Sequence, residues 1–96
     1  MCRHKRIRIK GGILEAWQIR LQSKFFILIK GRKGYIMCGY LNLSSASKVK
    51  DVAVKVTGVG CIEDVLKAKA TAVTYSARQL GIFPGQPIKE ILSIIA

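Results

Sequence analysis

Three cysteines and one histidine are the side chains best suited to covalent or metal chemistry: Cys2, Cys38, Cys61 and His4. A cysteine attacks only as the thiolate, so it needs a base or a helix N-terminus beside it. His4 is the sole imidazole, so a Cys38–His4 pair requires the first strand to run past the strand that carries Cys38. Cys61 opens a predicted helix beside Glu63 and Asp64, a setting that suits a disulfide partner better than a nucleophile. No two cysteines have the close spacing of structural zinc ligands, and Cys2-Arg3-His4 is too short to anchor a metal, so no metal site is expected. Gly58-Val59-Gly60 precedes a helix but lacks the further glycine and the Lys-Ser/Thr pair of a phosphate loop. It reads instead as a tight strand-to-helix turn. Glu15, Asp51, Glu63, Asp64 and Glu90 are the only acids, which leaves no obvious catalytic pair, and no cofactor is implied.

The second chemistry is electrostatic. The chain carries a formal charge of +12, and residues 1–33 hold ten Lys or Arg against one acid, Glu15. The remaining residues hold seven against four. Such an imbalance attracts polyanions without saying anything about fold. Arg6, Arg8, Lys10, Arg32 and Lys33, with Trp17 and Tyr35 nearby, form the nucleic-acid-binding candidates: cations displace counterions from phosphate and aromatic rings stack on bases. No sequence signature of a dedicated nucleic-acid fold accompanies them.

These residues must be positioned by an α+β fold, a largely antiparallel sheet of N-terminal hairpins and a later strand, packed by three or four short helices. Arg6 to Lys10 alternates charged and apolar with period two, the pattern of a half-buried strand. Gly11-Gly12 predicts a hairpin turn, with Ile13 to Leu21 returning. That turn pairs Ile9 with Leu14, Arg8 with Glu15, Ile7 with Ala16 and Arg6 with Trp17. It sets Ile7, Ile9, Leu14 and Ala16 on the core face, Arg8 against Glu15 as a charge pair and Arg6 over Trp17. Trp17, Ile19 and Leu21 then fall on the charged face, which calls for a bulge or a covering partner. Phe25 to Ile29 reads as a central strand, Gly31-Arg32-Lys33-Gly34 as a turn, and Tyr35 to Leu41 as the returning strand with a bulge at Gly39. A short helix is predicted from Ser44 or Ser45 to Lys50, a strand over 51–56, and helices from Cys61, from Thr71 to Leu80, and from Pro87 onward. The last carries Ile88, Ile91, Leu92 and Ile95 on one stripe.

From Gly34-Tyr35-Ile36-Met37-Cys38-Gly39-Tyr40-Leu41 the sequence resembles the YunC-like family of small uncharacterised domains. The likeness continues through Val56-Thr57-Gly58-Val59, Ile62 to Leu66, and Thr74 to Gly85, over roughly residues 30–92. It implies an α+β domain and no assigned activity. Because Cys38 lies in the most specific of these motifs, the resemblance makes it the catalytic candidate; the plain alternative is a small buried hydrophobe in a strand. Asn42 stands where the family often has an acid, and Cys61 where it usually has Thr or Ser. Residues 1–10, a basic strand or arm, lie outside the match.

Ninety-six residues fit one domain spanning 1–96. No apolar run is long enough to span a membrane, and charge continues where a secretory leader would turn apolar, so a cytoplasmic protein is expected. The leading functional expectation is a non-enzymatic domain that self-associates as a homodimer through the sheet region. One asparagine and thirteen isoleucines suggest a thermophile, in which Cys2, Cys38 and Cys61 are disulfide candidates. The alternatives are a basic module that binds nucleic acid weakly and non-specifically, and a small enzyme or ligand-binding protein that uses Cys38.

Overall fold

The computed structural model describes residues 2–20, 22, 25–38 and 51–96, and only the backbone of Cys2 and Phe25. The predicted 44–50 helix, the Gly39 bulge, Leu21, Asn42 and the end of the Tyr35–Leu41 strand lie outside these residues. The elements run β1 (Cys2–Ile9), β2 (Gly12–Arg20), β3 (Phe25–Lys30), β4 (Tyr35–Cys38), β5 (Ala53–Val56), α1 (Ile62–Lys67), β6 (Ala72–Val73), α2 (Tyr75–Gln79) and α3 (Ile88–Ile95). The six strands form one sheet in chain order, antiparallel throughout except for the parallel β4–β5 pair. The fold is therefore α+β with a mostly antiparallel sheet, as the sequence predicts.

Period-two alternation decides which face is which. Leu14 and Ala16 of β2, Ile27 and Ile29 of β3, Ile36 and Cys38 of β4, and Val54 and Val56 of β5 all point into one buried cluster. The helices cover that face with Ile62 and Val65 of α1, Ala77 of α2, and the full predicted stripe Ile88, Ile91, Leu92 and Ile95 of α3. Burying each such isoleucine or leucine stabilises by about 1.5–3 kcal/mol. The other face has no helix over it among the described residues. At its β4–β5 end Met37 and Ala53 are buried, with Leu28 and Tyr35 packed against them.

Three expectations are corrected. The first hairpin turns at Lys10-Gly11, so Ile9 pairs with Gly12, Ile7 with Leu14, Arg6 with Glu15 and His4 with Trp17. This register differs by two residues from the predicted one and leaves every side chain on its predicted face. The Arg8–Glu15 and Arg6–Trp17 pairs are replaced by Arg6–Glu15 at 3.8 Å and by His4 stacked on Trp17. Residues 71–80 do not form one helix. Ala72 and Val73 pair with β5, and Thr74 caps the shorter α2. Pro87 is the N-cap of α3 rather than its first turn, because its backbone is extended.

Loop geometry locks the layers together. The end of α3 packs on the β3–β4 turn, where the Lys33 N–H donates to the Ile95 carbonyl (2.8 Å), satisfying a group that a helix C-terminus leaves unpaired. Gly31 has to be glycine here, since a Cβ would overlap the Ile95 carbonyl. Helix α2 stops as predicted at Gly81 (φ +90°): the Gly81 N–H reaches the Arg78 carbonyl and the Ile82 N–H reaches that of Ala77.

Candidate nucleic-acid interface

The alternation that fills the core places a second set of side chains on the open face. One row across the strands runs His4, Trp17, Leu28, Met37, Lys55; the next runs Arg6, Glu15, Lys30, Tyr35. Arg8 lies opposite Ile13, and Ile19 opposite Phe26. Pairing is continuous along β1, β2 and β3, so no bulge moves Trp17 and Ile19 to the other face. Trp17, Ile19, Phe26 and Leu28 stay half-buried, and Ile13 is 50% exposed. The rings of His4 and Trp17 stack with centroids 5.1 Å apart and planes 22° from parallel.

Alternation also divides the basic arm. Arg3 and Lys5 point to the helix side, where Arg3 makes a two-pronged contact with Glu63 (3.0 and 2.9 Å) and Lys5 lies 3.8 Å from the same carboxylate. The hydrogen bond from Arg3 is the main reason the Glu63 carboxyl is held down at about 2. On the open face Arg6 reaches Glu15, and among the described residues Arg8, Lys30 and Lys55 form no ion pair.

Of the sequence-level candidates, Arg6, Arg8 and Trp17 therefore share the open face. Lys10, Arg32 and Lys33 are exposed on two turns that meet at the end of α3, with Gly11 beside the Ser93 carbonyl and Lys33 bonded to Ile95. Cations there complement the negative end of the helix dipole. A cleft of about 200 Å³ lies between the Lys30–Tyr35 turn and Asp51-Val52. Within it the Tyr35 hydroxyl donates to Asp51 Oδ2 (2.9 Å). Burial first, and this bond second, push the Tyr35 pKa up to about 12.

The cysteines are separated. Cys38 is 4% exposed in the core, where burial pushes its thiol pKa up against a smaller opposing effect of a backbone hydrogen bond from Ile27. His4 projects from the opposite face, so the two do not form a dyad. Cys38 and Cys61 are both free thiols. Among the described residues no three His, Cys, Asp or Glu side chains converge as metal ligands, and no helix is long and apolar enough to cross a membrane.

Two buried polar side chains escaped the sequence reading. Cys61 makes no side-chain cap for α1; instead Gln18 Oε1, from β2, accepts from the Ile62 N–H (3.0 Å) and from Arg3 (3.3 Å). Asp64 accepts from the Gly60 N–H (3.1 Å). Thr74 Oγ1 donates to the Asp51 carbonyl (2.7 Å) and accepts from the N–H groups of Ala53 and Ala77 (3.2 Å each).

A mostly antiparallel α+β sheet with helices over one face and, among the described residues, a basic and partly apolar second face is the class of protein that this geometry defines. Residues 37–95 match a family described as a domain of unknown function (DUF1805), and the chain belongs to that family. It is 36% identical over 90 residues to the uncharacterised protein YunC of Bacillus subtilis (strain 168), a match covering 90% of this chain and 89% of that one. The fold is similar to the crystal structure of a protein of unknown function, TA1206 from Thermoplasma acidophilum. That likeness has a TM-score of 0.95 at 35% identity and covers 100% of this chain and 94% of the other.

Proposed function

We propose that the protein is a non-enzymatic nucleic-acid-binding module whose contact surface is the open face of the sheet. One observation carries this reading: among the described residues, four cations of the strands, Arg6, Arg8, Lys30 and Lys55, share that face with one strand acid, Glu15, with Asp51 held by Tyr35 at the end of its row, and with the half-buried apolar band of Trp17, Ile19, Phe26 and Leu28. Phosphate is attracted by the first group and bases or sugars cover the second. The exposed Lys10, Arg32 and Lys33 extend the positive surface around one end of the sheet. The core position of Cys38, away from any imidazole, supports a binding role over a thiol-dependent enzyme.

A second copy of the chain would cover the same apolar band, but packing two such faces together doubles an excess of cations over acids. A polyanion removes that repulsion. Equilibrium binding of oligonucleotides at low and raised salt, with sedimentation of the free protein, tests the choice. Binding that weakens steeply with salt is expected. No binding at low salt, together with a stable dimer that buries the open face, overturns the reading in favour of self-association.

A further inference from the structure

We infer that the cleft between the β3–β4 turn and the start of β5 is a binding site for a small phosphate monoester that carries a hydroxyl group. Lys30, Arg32 and Lys33 take the phosphate, and Asp51 takes the hydroxyl. No residue of β1 or β2 lines this cleft, so the site stands whether or not Arg6 and Arg8 bind a polyanion.

The turn that carries the cations is fixed before a ligand arrives. On one side a Cβ at Gly31 would overlap the Ile95 carbonyl, and the Lys33 N–H donates to that carbonyl (2.8 Å). On the other, a Cβ at Gly34 would come within 2.7 Å of the Val52 carbonyl oxygen, which accepts from the Tyr35 N–H (3.0 Å). The turn is thus clamped between α3 and the start of β5. A clamped loop has little freedom left to lose on binding, which favours affinity.

Charge and size select the ligand. Lys30, Arg32 and Lys33 are exposed, and among the described residues none of them forms an ion pair. Asp51 is the one acid lining the cleft. Three cations against one acid suit a phosphate monoester, with about −1.5 to −2 charges and three acceptor oxygens, better than a diester or a carboxylate with one charge. The volume of about 200 Å³ falls below the roughly 300–1,000 Å³ of pockets for larger organic ligands, so the ester is small. Asp51 adds a second requirement. Its Oδ2 accepts from the Tyr35 hydroxyl (2.9 Å), which keeps its proton because the Tyr35 pKa is pushed up to about 12. A carboxylate has further acceptor positions and no donor, so it calls for a hydroxyl on the ligand.

Backbone amide NMR of the full chain measures affinity and position together. The probes are glycerol 3-phosphate, methyl phosphate (the same charge without a hydroxyl) and dimethyl phosphate. Glycerol 3-phosphate is expected to shift the amides of Gly31, Arg32, Lys33, Gly34, Asp51 and Val52. It should bind about tenfold more tightly than methyl phosphate, the scale of one hydrogen bond to a charged group. Methyl phosphate should bind more tightly than dimethyl phosphate. Arg32→Gln, on an exposed turn tip, should weaken both monoesters by about tenfold. Asp51→Asn should abolish the preference for glycerol 3-phosphate while methyl phosphate binds at least as well, since a repelling charge is gone. The Arg6→Ser/Arg8→Ser double variant should bind all three probes as wild type does. Equal affinity for glycerol 3-phosphate and methyl phosphate overturns the inference. So does failure of every probe to bind, or a loss in the Arg6→Ser/Arg8→Ser variant as large as that in Arg32→Gln.

Discussion

Replacing Thr74 removes one oxygen that serves three backbone groups. Thr74 is 1% exposed, and its Oγ1 joins the start of β5 to the first turn of α2 through Asp51, Ala53 and Ala77. Thr74→Val keeps the volume and the β-branch but removes the acceptor and the donor. Loss of a helix N-cap costs about 1 kcal/mol. The buried Ala53 N–H then loses its side-chain acceptor, at about 1–3 kcal/mol. A destabilisation of about 2–4 kcal/mol follows, a large share of the stability of a small domain. Thr74→Ser keeps the oxygen and loses one methyl, about 0.8 kcal/mol. Urea unfolding followed by circular dichroism measures both, and the midpoint should fall without a change in slope. A Thr74→Val protein within about 0.5 kcal/mol of wild type, below the usual value of a single cap, would refute the assignment of Thr74 as the joint between sheet and helix.

Three further outcomes follow from the same geometry. Glu63, held at about 2 against an ordinary 4.5, contributes stability that is fully present above pH 4.5 and is lost as the pH falls through about 2. Thermal midpoints of Glu63→Gln should therefore fall less steeply over that window than those of wild type. Tyr35, raised from 10.0 to about 12, favours the neutral phenol in the folded state, so its contribution is full below pH 10 and lost as the pH rises through about 12. Tyrosinate absorbance, read as the difference between wild type and Tyr35→Phe, should show one late-titrating phenol that Asp51→Asn shifts back toward its ordinary range. Gly31→Ala drives a methyl into the Ile95 carbonyl and should cost about 1–3 kcal/mol, seen in chemical unfolding. A neutral result there would mean that the end of α3 does not bear on the turn.

Much of the open face was legible because strand alternation is a local property. Reading Arg6, Arg8 and Trp17 onto one face and Ile7, Leu14 and Ala16 onto the other needs only the period of two. The register was not legible. A slip of two residues returns every side chain to the same face, so the apolar pattern is blind to it, and the His4–Trp17 stack was missed for that reason. In the observed turn Gly12 stays in the strand, where an added Cβ would meet Ala96 at 3.5 Å, a long-range neighbour that no local pattern contains. Strand β6 was hidden because Val73, Ala77 and Leu80 also satisfy helical spacing; Leu80 proves to be 44% exposed, and the true boundary is the capping Thr74. Gln18 carried a usable signal, since it continues the Leu14, Ala16 series onto the core face, where a polar side chain must find partners. That Glu63 would neutralise Arg3 and Lys5, leaving Arg6 and Arg8 to act outward, depends on where α1 docks, which no local pattern contains.

The most direct test of the nucleic-acid reading is the salt dependence of oligothymidylate binding to wild-type protein and to the Arg6→Ser/Arg8→Ser double variant. About three phosphate contacts, from Arg6, Arg8 and Lys30, predict a slope near −2 in log K against log salt for a single strand, and each contact removed should flatten it by about 0.7. The double variant should therefore bind with a slope of less than about half the wild-type value, given the loss of two contacts. Binding that ignores salt, or a slope left unchanged by the double variant, would contradict the claim that the open face of the sheet is where the polyanion lies.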